Sequence, residues 1–425
     1  MTSDHKSIPR HDLAAGSIAN CQICGSADLV VVLDLGHQPP CDSLLKPEQL
    51  REPERHYPLR FVRCRHCGLA QIDHVVPPKV LFHPEYPYRS GITGTLAGNL
   101  QQTATTIVDT YKITGHELAV DIGSNDGTLL KGFKSRSVRV LGVEATNIAK
   151  IAIADGIDTI QSFFSEALAR QIVSSHGQAS AITATNMFAH VANFGEFMRG
   201  VAALLRDGGI FVSESHYLPS ILETVQYDSI YHEHLKFYSL RPLMLFLSYY
   251  GFTVTDAQKI PNYGGSIRVY ATKGVDLPTS DRLRQLLVVE DQLGLNSDAP
   301  FDQFRQTVQR SKFQLQRLLV DLRAQGKPAP GIGCPGRSST LLNYVGVDPD
   351  LMPYIAEQST SLKLGLFLPG KHIPIVDEKR LFEEQPEHAL MLSWHYAEPI
   401  IAGLRRRGLK SKIIIPLPTV RVIEA

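Results

Sequence analysis

Short apolar runs alternate with longer amphipathic segments along the middle of the chain. The runs predict strands, near 118–122, 138–143, 157–160, 180–184 and 209–214. Strands that alternate with helices in this way predict a parallel sheet with helices on both faces. Two later runs, 252–257 and 266–271, predict a strand pair that closes the sheet.

Beyond this sheet the pattern changes near Lys273. Residues 281–325 predict long polar helices, and apolar runs at 373–376, 389–393 and 412–416 predict a small second α/β unit. Between them, residues 331–342 form a second Gly-rich turn that opens a helix. Arg337 and Ser338 stand at the start of that helix, where an anion such as phosphate can bind.

The first predicted strand leads into a Gly-rich turn, from Asp121 through Gly123, Asn125 and Asp126 to Gly127. A strand, such a turn and a helix make the opening unit of a nucleotide-binding α/β domain. The turn lacks the Lys and Ser/Thr of a phosphate loop, which argues against a triphosphate. Glu144 ends the next predicted strand, about 20 residues later, and suits a ribose diol. An acid, a two-glycine turn and a second acid are typical of S-adenosylmethionine (SAM) methyltransferases, although the turn alone also fits a tight βα connection.

Ligands bind beyond the carboxyl ends of the strands in such sheets. Phe163 and Phe164 follow the third strand and could line an adenine slot, although phenylalanines there are more often core residues. Asn186 and His190 follow the fourth strand and are expected in the crevice. A lone histidine is more often structural, so His190 depends on its context.

That context is an insertion after the fifth strand, with Tyr231, Glu233 and His234 in a polar aromatic stretch. A metal site is disfavoured because the His-Glu-x-x-His spacing is absent. An imidazole beside a carboxylate and tyrosines suits proton transfer. A solvated helix start is the alternative.

Four cysteines form two Cys-x-x-Cys-Gly knuckles, Cys21 with Cys24 and Cys64 with Cys67. Four thiolates suit a tetrahedral structural zinc, which would stabilise a module too small for a large core. A redox pair or unrelated cysteines is the alternative. Cys41 lies between the knuckles and has no place in a four-thiolate shell.

Composition narrows the class of protein. The chain has 425 residues, enough for two to three domains, with 43% hydrophobic and 20% charged residues. Its formal net charge of +1 gives no field that would attract nucleic acid or an anionic membrane. The N-terminus lacks the apolar core of a signal peptide, so we expect a cytoplasmic protein.

Taken together, the motifs resemble the sugar C-methyltransferases, which use SAM to methylate C3 of nucleotide-linked 4-keto-deoxysugars. The order and spacing of six motifs carry the resemblance: both cysteine knuckles, Tyr86-Pro87-Tyr88-x-Ser90, the turn 121–127, Asn186-x-x-x-His190, Tyr231-x-Glu233-His234, and the turn 333–343 with His372-Ile373-Pro374. This family usually has Glu at position 121 and often has Lys at position 337.

The resemblance implies three domains. These are a tail and zinc-binding module at 1–80, a SAM-dependent methyltransferase domain at 81–273, and a Rossmann-like domain at 274–425 that contributes to sugar-nucleotide binding. It also implies that His234 is the general base, that Glu233, Tyr231, Tyr86 and His190 surround it, and that Tyr88 contacts substrate.

The expected activity is therefore C-methylation at C3 through an enolate that His234 generates and Glu233 helps to orient. The alternatives are an NAD(P)-dependent sugar-nucleotide oxidoreductase or epimerase, and a non-catalytic zinc-knuckle adaptor with a methyltransferase fold. The sequence leaves open the sugar, its C3 substituent and the nucleotide (TDP, CDP or GDP). We expect a monomer or weak oligomer that binds a nucleotide sugar, no nucleic acid and no membrane.

Overall fold

A computed structural model describes residues 11–82, 91, 94–275 and 277–424. Tyr86 and Tyr88 lie outside the described residues, so their predicted roles stay predictions. No helix in these ranges is long and apolar enough to span a membrane.

The N-terminal module is a small antiparallel sheet held against the rest of the chain. Its elements are β1 (Gly16–Ser17), β2 (Leu29–Gln38), β3 (Tyr57–Cys64), β4 (Ala70–Ile72), β5 (His74–Val75) and α1 (Pro78–Leu81). The inner face of β3 buries Leu59 and Phe61 completely. Burial of such side chains removes apolar area from water and favours this packing.

The central domain contains the predicted alternation of strands and helices. Its elements are α2 (Gly94–Tyr111), β6 (Leu118–Ile122), α3 (Thr128–Lys134), β7 (Arg139–Glu144), α4 (Ala149–Ala154), β8 (Thr159–Gln161), α5 (Glu166–His176), β9 (Ala179–Thr185), α6 (Phe194–Leu204), β10 (Leu205–His216), α7 (Leu218–Glu223), β11 (Lys236–Phe237), α8 (Leu240–Ser248), β12 (Phe252–Ile260) and β13 (Ser266–Lys273).

Seven of these strands form one sheet in the order β12-β13-β10-β9-β6-β7-β8. Strands β10, β9, β6, β7 and β8 are parallel, and β13 and β12 complete the edge antiparallel. The predicted α/β class is confirmed. Strand β10 extends beyond the predicted 209–214, because Leu205 pairs with Ala179 before an irregularity and His216 still pairs with Ser266.

The C-terminal part begins with two long helices and continues as a second α/β unit. Its elements are α9 (Asp281–Gln292), α10 (Ala299–Ala324), β14 (Gly331–Ile332), α11 (Arg337–Val345), β15 (Ile355–Glu357), β16 (Ile375–Asp377), α12 (Lys379–Glu384), β17 (His388–Met391), α13 (Ala397–Arg406), β18 (Lys412–Ile415) and β19 (Arg421–Ile423). The strand order is β16-β15-β14-β17-β18-β19. Strand β14 has only two residues, but both pair with β15 on one side and with β17 on the other. This short strand therefore lies at the centre of the sheet.

The hydrophobic cores cross the borders between these units. One core joins β2 and β3 of the N-terminal module with α10 and the C-terminal sheet, and Phe61 packs edge-on against Phe304 at 6.2 Å. A second joins Ile23 and Leu69 of the module with the central sheet. The three units therefore pack as one body around shared apolar surfaces.

Candidate functional site

The turn after β6 is shaped by two glycines. Gly123 has a φ of 74° and Gly127 a φ of 73°, which disfavours side chains at both positions. The N–H of Gly123 donates to the carbonyl of Val143 at 2.8 Å, so the turn is tied to the neighbouring strand β7. A Cβ on Gly123 would lie 2.8 Å from Cγ of Met187, so only glycine leaves this approach open.

Two acids lie at the ends of the strands beside this turn. Glu144 accepts hydrogen bonds from the backbone N–H groups of Asn125, at 2.9 Å, and Thr146, at 2.8 Å. Asp121 accepts a hydrogen bond from Oγ1 of Thr183 at 2.6 Å, and burial raises its pKa to about 7. Both carboxylates thus stand at the carboxyl ends of neighbouring parallel strands, at the edge where such sheets bind ligands.

A cavity of about 590 Å³ opens over this edge of the sheet. Most residues predicted to bind the cofactor line it, namely Asp121, Gly123, Asn125, Glu144, Phe163, Phe164 and Asn186, together with His190. Asp126 and Gly127 are not among the lining residues. Asp126 instead accepts hydrogen bonds from the N–H of Gly91, at 2.9 Å, and Oγ1 of Thr128, at 2.7 Å, so it shapes the turn.

The two phenylalanines of the predicted adenine slot differ. Phe163 is 48% exposed and lines the cavity. Phe164 packs edge-on against Phe197, with ring centroids 5.3 Å apart, so it belongs partly to the core. An exposed aromatic ring on a cavity wall suits the face of a purine base.

Asn186 stands at the switch point of the sheet, just after β9. Its backbone adopts a φ of 55°, rare for a residue other than glycine, and its N–H donates to the carbonyl of Glu214 at 2.8 Å. Its Oδ1 is buried without a hydrogen-bond partner among the described residues. A strained backbone that aims an unpaired polar atom into a crevice is typical of a binding site.

Beyond the cavity, residues 217–239 form an insert between β10 and α8. The alternative of a solvated helix start does not hold, since residues 231–234 form a turn and His232, Glu233 and His234 are at most 4% exposed. Nδ1 of His234 donates to the carbonyl oxygen of Ser229 at 2.7 Å. This bond fixes the tautomer and leaves the lone pair on Nε2 for use as a base.

Two further imidazoles and a phenol lie close to the ring of His234. The ring of His234 lies 4.0 Å from that of Tyr231, 4.6 Å from that of His216 and 5.0 Å from that of His190. His190 also lines the cavity beside the Gly-rich turn, so the insert and the turn share one cleft.

Burial keeps the cluster uncharged. It lowers the pKa of His234 to about 4, and it holds the pKa values of His190 and His216 well below the usual histidine range. Burial also raises the pKa of Tyr231 well above that of an ordinary phenol, so its hydroxyl stays protonated. The site therefore combines neutral bases with neutral hydrogen-bond donors near pH 7.

Glu233 takes a different place from the one predicted. Because Ser229 occupies Nδ1 of His234, a backbone carbonyl supplies the orientation that the sequence assigned to Glu233. Glu233 instead accepts a hydrogen bond from the thiol of Cys41, with Sγ and Oε1 3.5 Å apart. Asp42 belongs to the same buried group. Cys41, which has no place among the zinc ligands, thus reaches the edge of the site.

The C-terminal unit closes the cleft from the opposite side. Arg337, at the start of α11, is 5% exposed, and its nearest contact to the carboxylate of Asp228 is 3.7 Å. The other oxygen of Asp228 accepts a hydrogen bond from Nε1 of Trp394 at 2.7 Å. Within the described parts of the chain, Arg337 donates only long hydrogen bonds, at 3.5 Å to Gln226 and 3.3 Å to the carbonyl of Tyr263. Its guanidinium thus has donor capacity left for a ligand.

Other polar atoms in the cleft are also buried without partners in the described parts of the chain. They are Oγ of Ser338, Nδ1 of His395 and Nε2 of His216. Unsatisfied buried polar atoms are costly, so a cluster of them indicates a place that a polar ligand fills.

The four knuckle cysteines converge at the other side of the module. Sγ of Cys21 lies 3.4 Å from Sγ of Cys67, and Sγ of Cys24 lies 3.6 Å from Sγ of Cys64. Thiolates around a tetrahedral zinc with bonds of about 2.3 Å lie ~3.8 Å apart. The donor set and spacing therefore fit a structural zinc.

The zinc module is joined directly to the insert. Strand β11, which begins two residues after His234, pairs with β4, matching Lys236 with Gln71 and Phe237 with Ala70. The side chain of Gln22, between two zinc ligands, donates to the carbonyl of Leu235 at 3.1 Å. A zinc ion held by the four cysteines would therefore brace the strand that follows the turn at 231–234.

Sequence reasoning assigned no role to His216, Ser229, Tyr263 or His395. His216 was visible as a histidine at the end of a predicted strand, the same signal that singled out His190. Ser229 acts through its carbonyl, which no side-chain pattern reveals. Tyr263 and His395 come from distant parts of the chain and meet Arg337 and His216 only through domain packing.

Profiles of three protein families match the chain. They are a zinc binding domain at residues 21–82, a methyltransferase domain at 114–257, and the C-methyltransferase C-terminal domain at 261–418. The C-methyltransferase NovU of Streptomyces niveus is 32% identical over 412 residues, which are 96% of this chain and 97% of NovU.

Solved methyltransferase structures resemble part of the chain. A SAM-dependent methyltransferase from Clostridium acetobutylicum is 11% identical, with a TM-score of 0.35, over 42% of this chain and 92% of its own. The magnesium protoporphyrin IX methyltransferase of Synechocystis, solved with bound SAM, is 12% identical, with a TM-score of 0.32, over 42% of this chain and 79% of its own.

Proposed function

The chain belongs to the C-methyltransferase family, and we propose that it methylates C3 of a nucleotide-linked 4-keto-deoxysugar. It is a SAM-dependent enzyme with a structural zinc domain. A neutral imidazole held in one tautomer, in a cleft shared with the cofactor turn, is the observation that carries the proposal.

Carbon is a poor nucleophile unless a proton is first removed from it. A ketone at C4 makes the proton on C3 acidic, because its removal gives an enolate. Nε2 of His234 takes this proton, while Ser229 holds the ring by Nδ1. The insert therefore supplies the general base that the reaction needs.

Donors must stabilise the oxygen that gains charge. We assign this role to the hydroxyl of Tyr231 and the imidazole of His190, whose ring centroids lie 4.0 and 5.0 Å from that of His234. Tyr86 is the third donor proposed, and Tyr88 a further substrate contact. Asp121, Asn125, Glu144 and Asn186 line the cavity and would hold SAM there, which would supply the electrophilic methyl group.

The sugar nucleotide is held by the C-terminal unit. Arg337 and Ser338, at the start of α11, offer a guanidinium and a hydroxyl to its phosphates. The partly unsatisfied donors of this buried arginine support an anionic ligand rather than a purely structural ion pair.

The packing of the second Gly-rich turn argues against a dinucleotide. A Cβ on Gly336 would lie 3.0 Å from Oδ2 of Asp42 and 3.4 Å from Sγ of Cys41. Lys363 crosses the same turn, donating to the carbonyl of Cys334 at 2.8 Å. These residues fill the space over the glycines where a pyrophosphate would approach.

Incubation with methyl-labelled SAM and 4-ketosugar linked to TDP, CDP or GDP tests the proposal. We expect the label on C3 of one of them, located by carbon NMR of the product. Label on oxygen or nitrogen, or no transfer to any 4-ketosugar nucleotide by protein that binds SAM, would contradict it.

A further inference from the structure

His216 occupies the end of β10, the strand beside the switch point of the central sheet. Its ring lies 4.6 Å from that of His234 and 5.9 Å from that of Tyr263. Tyr263 lines the cofactor cavity and adopts a φ of 55°. His216 therefore stands between the general base and the wall of the cofactor cavity.

The outer nitrogen of this imidazole has no structural role among the described residues. Nε2 is buried, and no hydrogen-bond partner is found for it in those parts of the chain. Burial, followed by the nearby His234 and Arg337, keeps its pKa well below the usual range. A buried imidazole that stays neutral and unsatisfied is suited to donate a hydrogen bond to a ligand.

We propose that Nε2–H of His216 donates to the C4 oxygen of the ketosugar and stabilises the enolate. The role rests on the proposed function and adds a donor that the cluster of Tyr231 and His190 does not include. It also implies a substrate whose C4 carbonyl points toward β10, with C3 facing His234.

The proton balance of the step fits this geometry. The C3–H bond breaks, its proton goes to Nε2 of His234, and its electron pair forms the C3–C4 double bond. The C4 carbonyl electrons move to oxygen, which accepts the hydrogen bond from His216. Because charge on His234 disfavours a second charge 4.6 Å away between ring centroids, His216 remains the neutral donor.

Paired variants separate a donor from a packing residue. His216→Phe keeps a planar ring and removes the donor, whereas His216→Asn keeps an amide N–H. Two rates are measured on intact enzyme: methyl transfer, and exchange of the C3 hydrogen with deuterated water without SAM. The SAM dissociation constant, the melting temperature and the kinetic isotope effect with C3-deuterated substrate are measured alongside. His116→Phe, at an exposed imidazole outside the cleft, is the matched control.

We expect His216→Phe to lower kcat and the exchange rate by about 10²–10³, the usual cost of an oxyanion donor. His216→Asn should keep at least about tenfold more activity than His216→Phe, and SAM affinity should not change. A larger isotope effect in His216→Phe would place the defect in proton removal.

The proposal is overturned if His216→Phe exchanges C3 hydrogen within about threefold of the wild type. It is also overturned if both variants lose SAM affinity and activity equally, which would show a packing role. Failure of the wild-type enzyme itself to exchange or methylate the ketosugar would instead count against the proposed function.

Discussion

Nδ1 of His234 lies 2.7 Å from the carbonyl oxygen of Ser229, five residues earlier in the same insert. A carbonyl can only accept, so this nitrogen carries the proton and Nε2 carries the lone pair. The bond makes the imidazole a base of fixed orientation without a carboxylate partner, which leaves its pKa under the control of burial.

Replacement of His234 by Asn should remove the base and little else. We expect kcat to fall by about 10²–10⁴ while SAM affinity stays within about twofold. Turnover of a ketosugar nucleotide and titration with SAM check this, with His116→Asn as the control. Near-normal methylation would assign the base to another residue.

The pH profile should show how strongly the site is buried. The pKa of His234 is lowered to about 4, so its neutral, active form persists well below the ordinary value of about 6.5. We expect the acid limb of kcat/KM near pH 4, or at the acid limit of folding if unfolding comes first. An acid limb at pH 6.5 that disappears in the His234→Gln variant would show that burial does not lower the pKa of His234.

The free energy of unfolding should also depend on pH through buried histidines. His234 and His232 both have pKa values lowered to about 4, so the unfolded chain binds protons that the folded chain excludes. Their contribution is complete above about pH 6.5 and is lost as pH falls toward 4. Each contributes a slope of up to about 1.4 kcal/mol per pH unit in this window. Denaturant unfolding of wild type and His232→Asn between pH 7 and 5 measures it: the variant should lose less stability on acidification.

Glu144→Gln should weaken SAM binding. The carboxylate of Glu144 accepts hydrogen bonds from the backbone N–H groups of Asn125 and Thr146. The amide of the Glu144→Gln variant would point its NH₂ group at one of these N–H groups, so one hydrogen bond would be lost. A charged hydrogen bond contributes about 1.5–3 kcal/mol, so the dissociation constant should rise about 10- to 100-fold. Calorimetric titration of Glu144→Gln beside Glu223→Gln, a surface carboxylate, checks this. Equal affinities would show that Glu144 does not support the cofactor.

Loss of the zinc should weaken SAM binding as well as destabilise the N-terminal module. Pro78 of the module and the adjoining Phe82 line the cavity over the Gly-rich turn, and β4 pairs with β11 beside His234. We expect Cys24→Ala to lose bound zinc, to melt at least about 5 °C lower and to bind SAM more weakly. Cys334→Ala should retain full zinc content. A zinc-free variant with wild-type SAM affinity would show that the module is independent.

A double-mutant cycle should separate the role of Arg337 in substrate binding from its role in the fold. Arg337→Met leaves the carboxylate of Asp228 buried without its cation. The effect of this variant therefore combines lost substrate binding with a destabilised fold. The double variant with Asp228→Asn removes that charge. We expect KM for the sugar nucleotide to stay about 10- to 100-fold raised in the double variant, with SAM affinity unchanged. A normal KM would make Arg337 a structural residue only.

Much of the fold and the cofactor edge was predictable, because local patterns encode them. The apolar runs predicted the strands to within a few residues, and Asp121, Gly123 and Glu144 of the acid-turn-acid pattern line one cavity. The four cysteines of the two Cys-x-x-Cys knuckles likewise form one cluster. Each of these signals lies within one short segment or one βα unit, where the backbone geometry follows from neighbouring residues.

The sequence by itself determined the α/β class of the fold, the four-cysteine set of the N-terminal module and the residue types of the insert. Only the tertiary structure decided which partner each side chain meets. His234 takes the carbonyl of Ser229 rather than Glu233, Glu233 takes the thiol of Cys41, and His216 joins the cluster from a separate strand. The reason is that these contacts depend on how the module, sheet and C-terminal unit pack, and packing of distant segments leaves no periodic mark in the chain.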